Sequence, residues 1–153
     1  MTVNGGSGGN GISNADGGAG GSGRIYMPLP SPGDLVVTDV AGPTDAAPGE
    51  MISVLNTVKN TLPVNISVSF RVGLYLSLDQ DITTGDIYLG DRLLSGITGD
   101  FPDTALTDVT IPAGISTGTY YLGAIADYED PDAVDELNEN NNTGIQSAPL
   151  AIQ

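Results

Sequence analysis

Val68-Ser-Phe-Arg-Val-Gly-Leu-Tyr-Leu-Ser-Leu78 sets Phe70, Val72, Leu74 and Leu76 against Arg71, Gly73, Tyr75 and Ser77. Apolar residues at every second position give an extended chain one face for a core and another turned away from it. This stretch predicts a central β-strand. Working outward, short apolar runs recur between Gly, Pro, Asn and Asp, the pattern of a sandwich or barrel. They predict strands over 34–40, 51–60, 87–94, 105–111, 119–127 and 145–152, seven with the central one. Pro149 marks an edge or bulge in the last. Apart from one helix-like turn near 81–84, no segment carries a helical period. The fold class expected is all-β.

Composition narrows the chemistry. Nineteen Asp and Glu face four basic residues (Arg24, Lys59, Arg71, Arg92), for a net charge of −15. Such a chain repels phosphate backbones and anionic lipid heads, so neither nucleic acid nor a membrane surface is an expected partner. The carboxylates also repel one another unless cations neutralise them, and calcium is the natural candidate. There is no Cys and no His, which removes disulfides, thiolate and imidazole metal sites, and Ser-His or Cys-His nucleophiles. No run reaches the length of a membrane span, and the N-terminus lacks the basic and apolar regions of a signal peptide. Export by another route and an intracellular product such as a virion protein are both compatible with that N-terminus.

Residues 1–23 hold ten of the twenty-two glycines among Asn, Ser and Asp, and offer almost nothing to bury. Arg24-Ile-Tyr-Met-Pro-Leu-Pro30 follows, a short extended apolar patch closed by prolines. It reads either as a hook whose Ile25, Tyr26, Met27 and Leu29 pair with another sheet edge, or as a linker leaning on its own domain. The organisation expected is a glycine-rich tail with a short extended segment over 1–33 and a sandwich over 34–153.

Four phrases resemble the bacterial and archaeal cell-adhesion-related module called CARDB. They are Asp34-Leu-Val-Val-Thr-Asp-Val40; Val72-Gly-Leu-Tyr-Leu-Ser-Leu-Asp79 with Ile82-Thr-Thr-Gly-Asp86 and Leu89-Gly90; Gly118-Thr-Tyr-Tyr-Leu-Gly-Ala-Ile-Ala-Asp127; and Val134-Asp-Glu-Leu-Asn-Glu-Asn-Asn-Asn142. They occur in order over about four fifths of the chain. The resemblance implies an immunoglobulin-like seven-stranded antiparallel sandwich from secreted and surface proteins, with adhesion as the family label. A single copy departs from the family's multidomain habit and suggests a self-standing subunit. Tyr120, two residues before an inward Leu122, has the position of the tyrosine corner of such sandwiches.

Two acidic loops carry the candidate chemistry. Asp79, Asp81 and Asp86 surround a Thr-Thr-Gly turn and offer hard oxygens to calcium, or else cap that turn and start a strand. The spacing is not that of an EF-hand. Asp127–Glu139 packs seven carboxylates into thirteen residues, followed by Asn140-Asn-Asn142, and no basic residue follows Arg92. Asp127, Glu136 and Glu139 are the metal candidates there. The alternative is that Glu136, Glu139, Asn141 and Asn142 build the turn by hydrogen-bonding its backbone. Because the third and sixth strands of an immunoglobulin-like sandwich run antiparallel, the two loops are expected at opposite ends, sharing no ion.

The function expected is a non-enzymatic extracellular or cell-surface structural protein, self-assembling into a homo-oligomer or filament as its N-terminal segment pairs with a neighbouring sandwich. One alternative is a monomeric calcium-dependent module gripping a carbohydrate or protein ligand, with Tyr75, Tyr121 and Tyr128 as its aromatic candidates. Another is a virion decoration protein. Solvated loop carboxylates are the wrong environment for glycoside hydrolysis, which needs two acids across a groove, one with a raised pKa.

Overall fold

The computed structural model describes residues 32–129 and 132–153. Nine strand segments follow in chain order: β1 (Leu35–Ala41), β2 (Asp45–Ala46), β3 (Met51–Asn60), β4 (Phe70–Ser77), β5 (Ile87–Leu94), β6 (Pro102–Thr110), β7 (Gly118–Ala126), β8 (Thr143–Ile145) and β9 (Leu150–Ile152). One sheet has the order β1-β3-β6; the other runs β2-β9-β7-β4-β5, with β8 also on β7. All pairings are antiparallel except β2 with β9. This is the immunoglobulin-like sandwich, and between its sheets lie Phe70, Val72, Leu74 and Leu76 with Leu35, Val54, Val58, Leu122 and Leu150.

The seven expected strands become nine because the first runs on past its expected end at residue 40 into a further segment in the other sheet, and the last breaks in two. The first leaves one sheet and joins the other at Gly42-Pro43: Leu35–Ala41 pairs with β3, and Asp45–Ala46 with β9. Gly42 sits so close to β7 that a Cβ there would lie 2.7 Å from Leu122 Cδ2. Buried Gln146 staples the crossing, its Oε1 accepting from Gly42 N–H and its Nε2 donating to the Pro43 and Ala148 carbonyls. The last strand breaks around the same residue, with Pro149, which has no N–H, preceding β9. β6 starts at Pro102, three residues earlier than the sequence pattern suggests. The turn at 84–85 has no helical character.

β4 is buried on both faces, contrary to a simple alternation. A second cluster explains this: Tyr75 and Ile125, on the outer face, are covered by Ile82 from the β4–β5 loop and by Tyr121 and Tyr128. Gly73 makes the room, since a Cβ there would meet the Tyr128 and Tyr75 rings at 2.8 Å. Tyr75 is therefore 2% exposed and offers no platform to a ligand.

Candidate functional site

The acidic loop leaves β7 at Asp127, whose φ of 50° turns the chain sharply out of the strand. Its carboxylate then closes the loop, accepting from Ala133 N–H at 3.1 Å and Val134 N–H at 2.8 Å. Val134 drops into the core behind it. Glu136 comes next and ties the loop to the start of the fold. One carboxylate oxygen accepts from the Leu35 N–H and the other from Asn142 Nδ2, while Gly33 bonds Asp135 and Leu137 through the main chain. Asn141 Nδ2 donates to Asp34 at 3.0 Å, and Glu139 accepts from the Glu136 N–H.

No basic side chain pairs with Asp127, Glu136 or Glu139 among the described residues, and their affinities for protons rise accordingly. Burial pushes Glu136 up to about 7, against the opposing hydrogen bonds from Leu35 and Asn142. Burial also raises Asp127 and Glu139, helped for Glu139 by the charges of Asp132, Asp127 and Asp135. Asp127, Glu129, Asp132, Glu139, Asn142 and Thr84 line a cleft of about 290 Å³. Asn142 is only 6% exposed, and the Oδ1 atoms of Asn141 and Asn142 are buried with no hydrogen-bond partner among the described residues.

Those orphaned oxygens, beside carboxylates that repel one another, suit a hard cation in donor chemistry. The arrangement is not a finished coordination shell: among the described residues no three acidic side chains converge on one point. Asp127 and Glu136 are occupied as acceptors through both oxygens, whereas Glu139 accepts through Oε1 alone and keeps its other oxygen.

The other loop is organised differently. Asp79 Oδ1 accepts from the Asp81 N–H, and Asp86 Oδ2 from both the N–H and hydroxyl of Thr83, so these side chains shape their own turn. Asp79 and Asp86 line a separate cleft with Leu76, Ser77 and Leu78. Since β4 and β7 are antiparallel, the segments leaving them start from opposite ends, although Thr84 reaches back to the acidic cleft. Tyr120 is buried and its hydroxyl donates to the Ser116 carbonyl at 3.0 Å. Ile25, Tyr26, Met27 and Leu29 lie outside the described residues.

Two groupings escape the sequence. Tyr88 and Tyr128 both donate to Asp91, at 2.6 and 2.7 Å, and Arg71 binds its other oxygen at 2.7 Å. Burial raises the pKa of Asp91, but these three donors outweigh it and hold the group low. Across the seam between the sheets, Arg92 donates to buried Asn56 at 2.6 Å and to Asp103 at 2.5 Å. Only the scarcity of cations in the sequence singles out either arginine.

The CARDB family model matches residues 31–145, and the chain belongs to the CARDB family. CARDB is a family of cell-adhesion-related domains. The metal-complexed crystal structure of the CARDB domain of the PF1109 protein from Pyrococcus furiosus, which holds di-metal ions, is similar at 17% identity, covering 86% of this chain and 98% of that one, with a TM-score of 0.56. A domain of a predicted cell-surface protein from Methanosarcina acetivorans is similar at 21% identity, covering 79% and 92%, with a TM-score of 0.54. At these identities the likeness establishes the fold alone. No curated protein sequence matches the chain. Among the described residues no helix is long and apolar enough to cross a membrane.

Proposed function

We propose that this protein is a non-enzymatic structural and adhesive subunit of the extracellular surface, and that it associates with its own copies by strand pairing. The observation that carries this reading is β6. It is nine residues long, has among the described residues a partner strand on one side only, and presents Leu106 at 68% exposure. A long edge of this kind offers unpaired main-chain groups to a further strand. Ile25, Tyr26, Met27 and Leu29 of a neighbouring copy supply an extended apolar segment to pair with it. Light scattering and electron microscopy of the full chain beside one lacking residues 1–31 test this. Oligomers or filaments that disappear on truncation are expected; two monomers would end the self-association reading. Cutting after Ser31 spares Gly33, which is bonded to Asp135 and Leu137.

A second reading concerns the acidic cleft, favoured by the unpartnered Asn142 Oδ1 among carboxylates of raised pKa. Calcium held by Asp132, Glu139 and Asn142, with Asp127 and Glu136 behind them, would neutralise the loop and fix it against Leu35. It would act on stability and order, with no part in bond-making chemistry.

A further inference from the structure

Away from the acidic loops, where the β3–β4 and β5–β6 connections meet, lies a cleft of about 440 Å³. Ile66 and Ile97 form its floor by exchanging two main-chain hydrogen bonds of 2.9 Å. Two glycines let the segments come this close. At Gly96, φ is 140° and a Cβ would stand 2.5 Å from the Ile66 carbonyl oxygen; at Gly99 a Cβ would stand 2.6 Å from the Pro63 carbonyl carbon. The cleft is thus held open by main-chain structure, which lowers the ordering cost of filling it.

Its lining carries a single charged side chain, Asp103, in a strongly charged protein. The hydroxyls of Ser67, Ser95 and Thr98 face no hydrogen-bonding partner among the described residues. Asn65 accepts from the Gly99 N–H through Oδ1 and keeps its Nδ2 donors. Asp103 is the one ionisable lining group, and Arg92 is bonded to it. A second cation, Lys59, sits in register with Pro102 at the rim. On the wall is Phe101, 65% exposed, whereas the other phenylalanine, Phe70, is fully buried.

We infer that this cleft is a binding site for a neutral saccharide. Sugar hydroxyls both donate and accept, as Ser and Thr hydroxyls do, and an amide adds directed donors. The C–H face of a pyranose packs on an exposed aromatic ring, whose apolar surface is otherwise left in water. A cationic ligand would be drawn to the carboxylates at 127–139, and an anionic one is repelled by the net charge of −15. The site needs no metal, and its argument does not rest on the self-association proposed above, although Pro102 and Asp103 of its lining belong to the same strand, β6. The volume falls in the range of small-ligand sites, about 300–1,000 Å³.

The test is a ¹⁵N–¹H NMR titration of the full chain with neutral glucan, mannan, galactan and chitin oligosaccharides, with and without chelator. At least one should give saturable shifts confined to 65–67 and 95–103, unchanged by the chelator. Phe101→Ala should weaken binding by about tenfold or more, with the rest of the spectrum preserved because the ring is exposed. Thr98→Val, which keeps the shape and removes one hydroxyl, should weaken it by about threefold to tenfold. Absence of saturable shifts from every oligosaccharide at millimolar concentration would overturn the inference. So would shifts centred on Asp127–Thr143, or binding that survives Phe101→Ala.

Discussion

Glu136 is the residue on which the N-terminal strand and the acidic loop depend, and it is held in a setting that disfavours its charge. Its pKa is pushed from 4.5 to about 7 in the folded chain. Below pH 4.5 it is protonated in both states and contributes nothing to the pH dependence. Between 4.5 and 7 the unfolded chain loses its proton first, so ionisation favours unfolding, and above 7 the whole cost is present. That cost is on the order of 2 kcal/mol after allowance for solvent screening. Asp127 and Glu139 shift in the same direction. Calorimetry should therefore find the domain more stable at pH 5.5 than at pH 8, with a smaller difference in Glu136→Gln. A flat or inverted profile in the parent would show that Glu136 titrates normally. Gly144 is the second sensitive position, because a Cβ there would lie 2.5 Å from Val37 Cγ1 and 3.0 Å from its carbonyl oxygen. Gly144→Ala should cost about 2–3 kcal/mol in urea unfolding, since neither backbone nor β-branched side chain can withdraw cheaply. A loss under 0.5 kcal/mol, the ordinary range of surface substitutions, would mean the seam is loose.

At the scale of elements, the alternation at 68–78 and 51–60 is enough to place β4 and β3, because a period of two has one physical reading in a half-buried strand. What alternation misses is where a strand changes partners. Nothing local marks residue 42 as a crossing between sheets except Gly-Pro, and that pair also reads as a plain turn. Tyr75 and Asn56 show the same limit. The pattern turns Tyr75 outward and Asn56 inward, but the covering Ile82 and the bonding Arg92 arrive from other elements. Arg92 fastens β5 to the edge of the facing sheet, and its loss strands a buried acceptor on Asn56. Arg92→Met should lower stability by about 2 kcal/mol. Combining it with Asn56→Leu should recover part of that. No loss on the first substitution would mean that water replaces the guanidinium.

Over the whole molecule, fifteen uncompensated charges oppose compactness, and the fold answers with a continuous aliphatic core under them. Millimolar calcium should raise the melting temperature by several degrees and a chelator should remove the gain, since a ligand bound only to the folded state stabilises it. An equal rise with sodium chloride at matched ionic strength would reduce the effect to general screening. The sequence by itself determined the all-β class, the alternating core positions, the family and the two acidic loops, because each is written in local spacing and composition. Only the tertiary structure decided that Glu136 reaches Leu35, that Arg92 reaches Asn56, and that Phe101 overlooks a cleft of hydroxyl and amide groups. Each of these joins segments distant in the chain, and their geometry comes from how the two sheets pack.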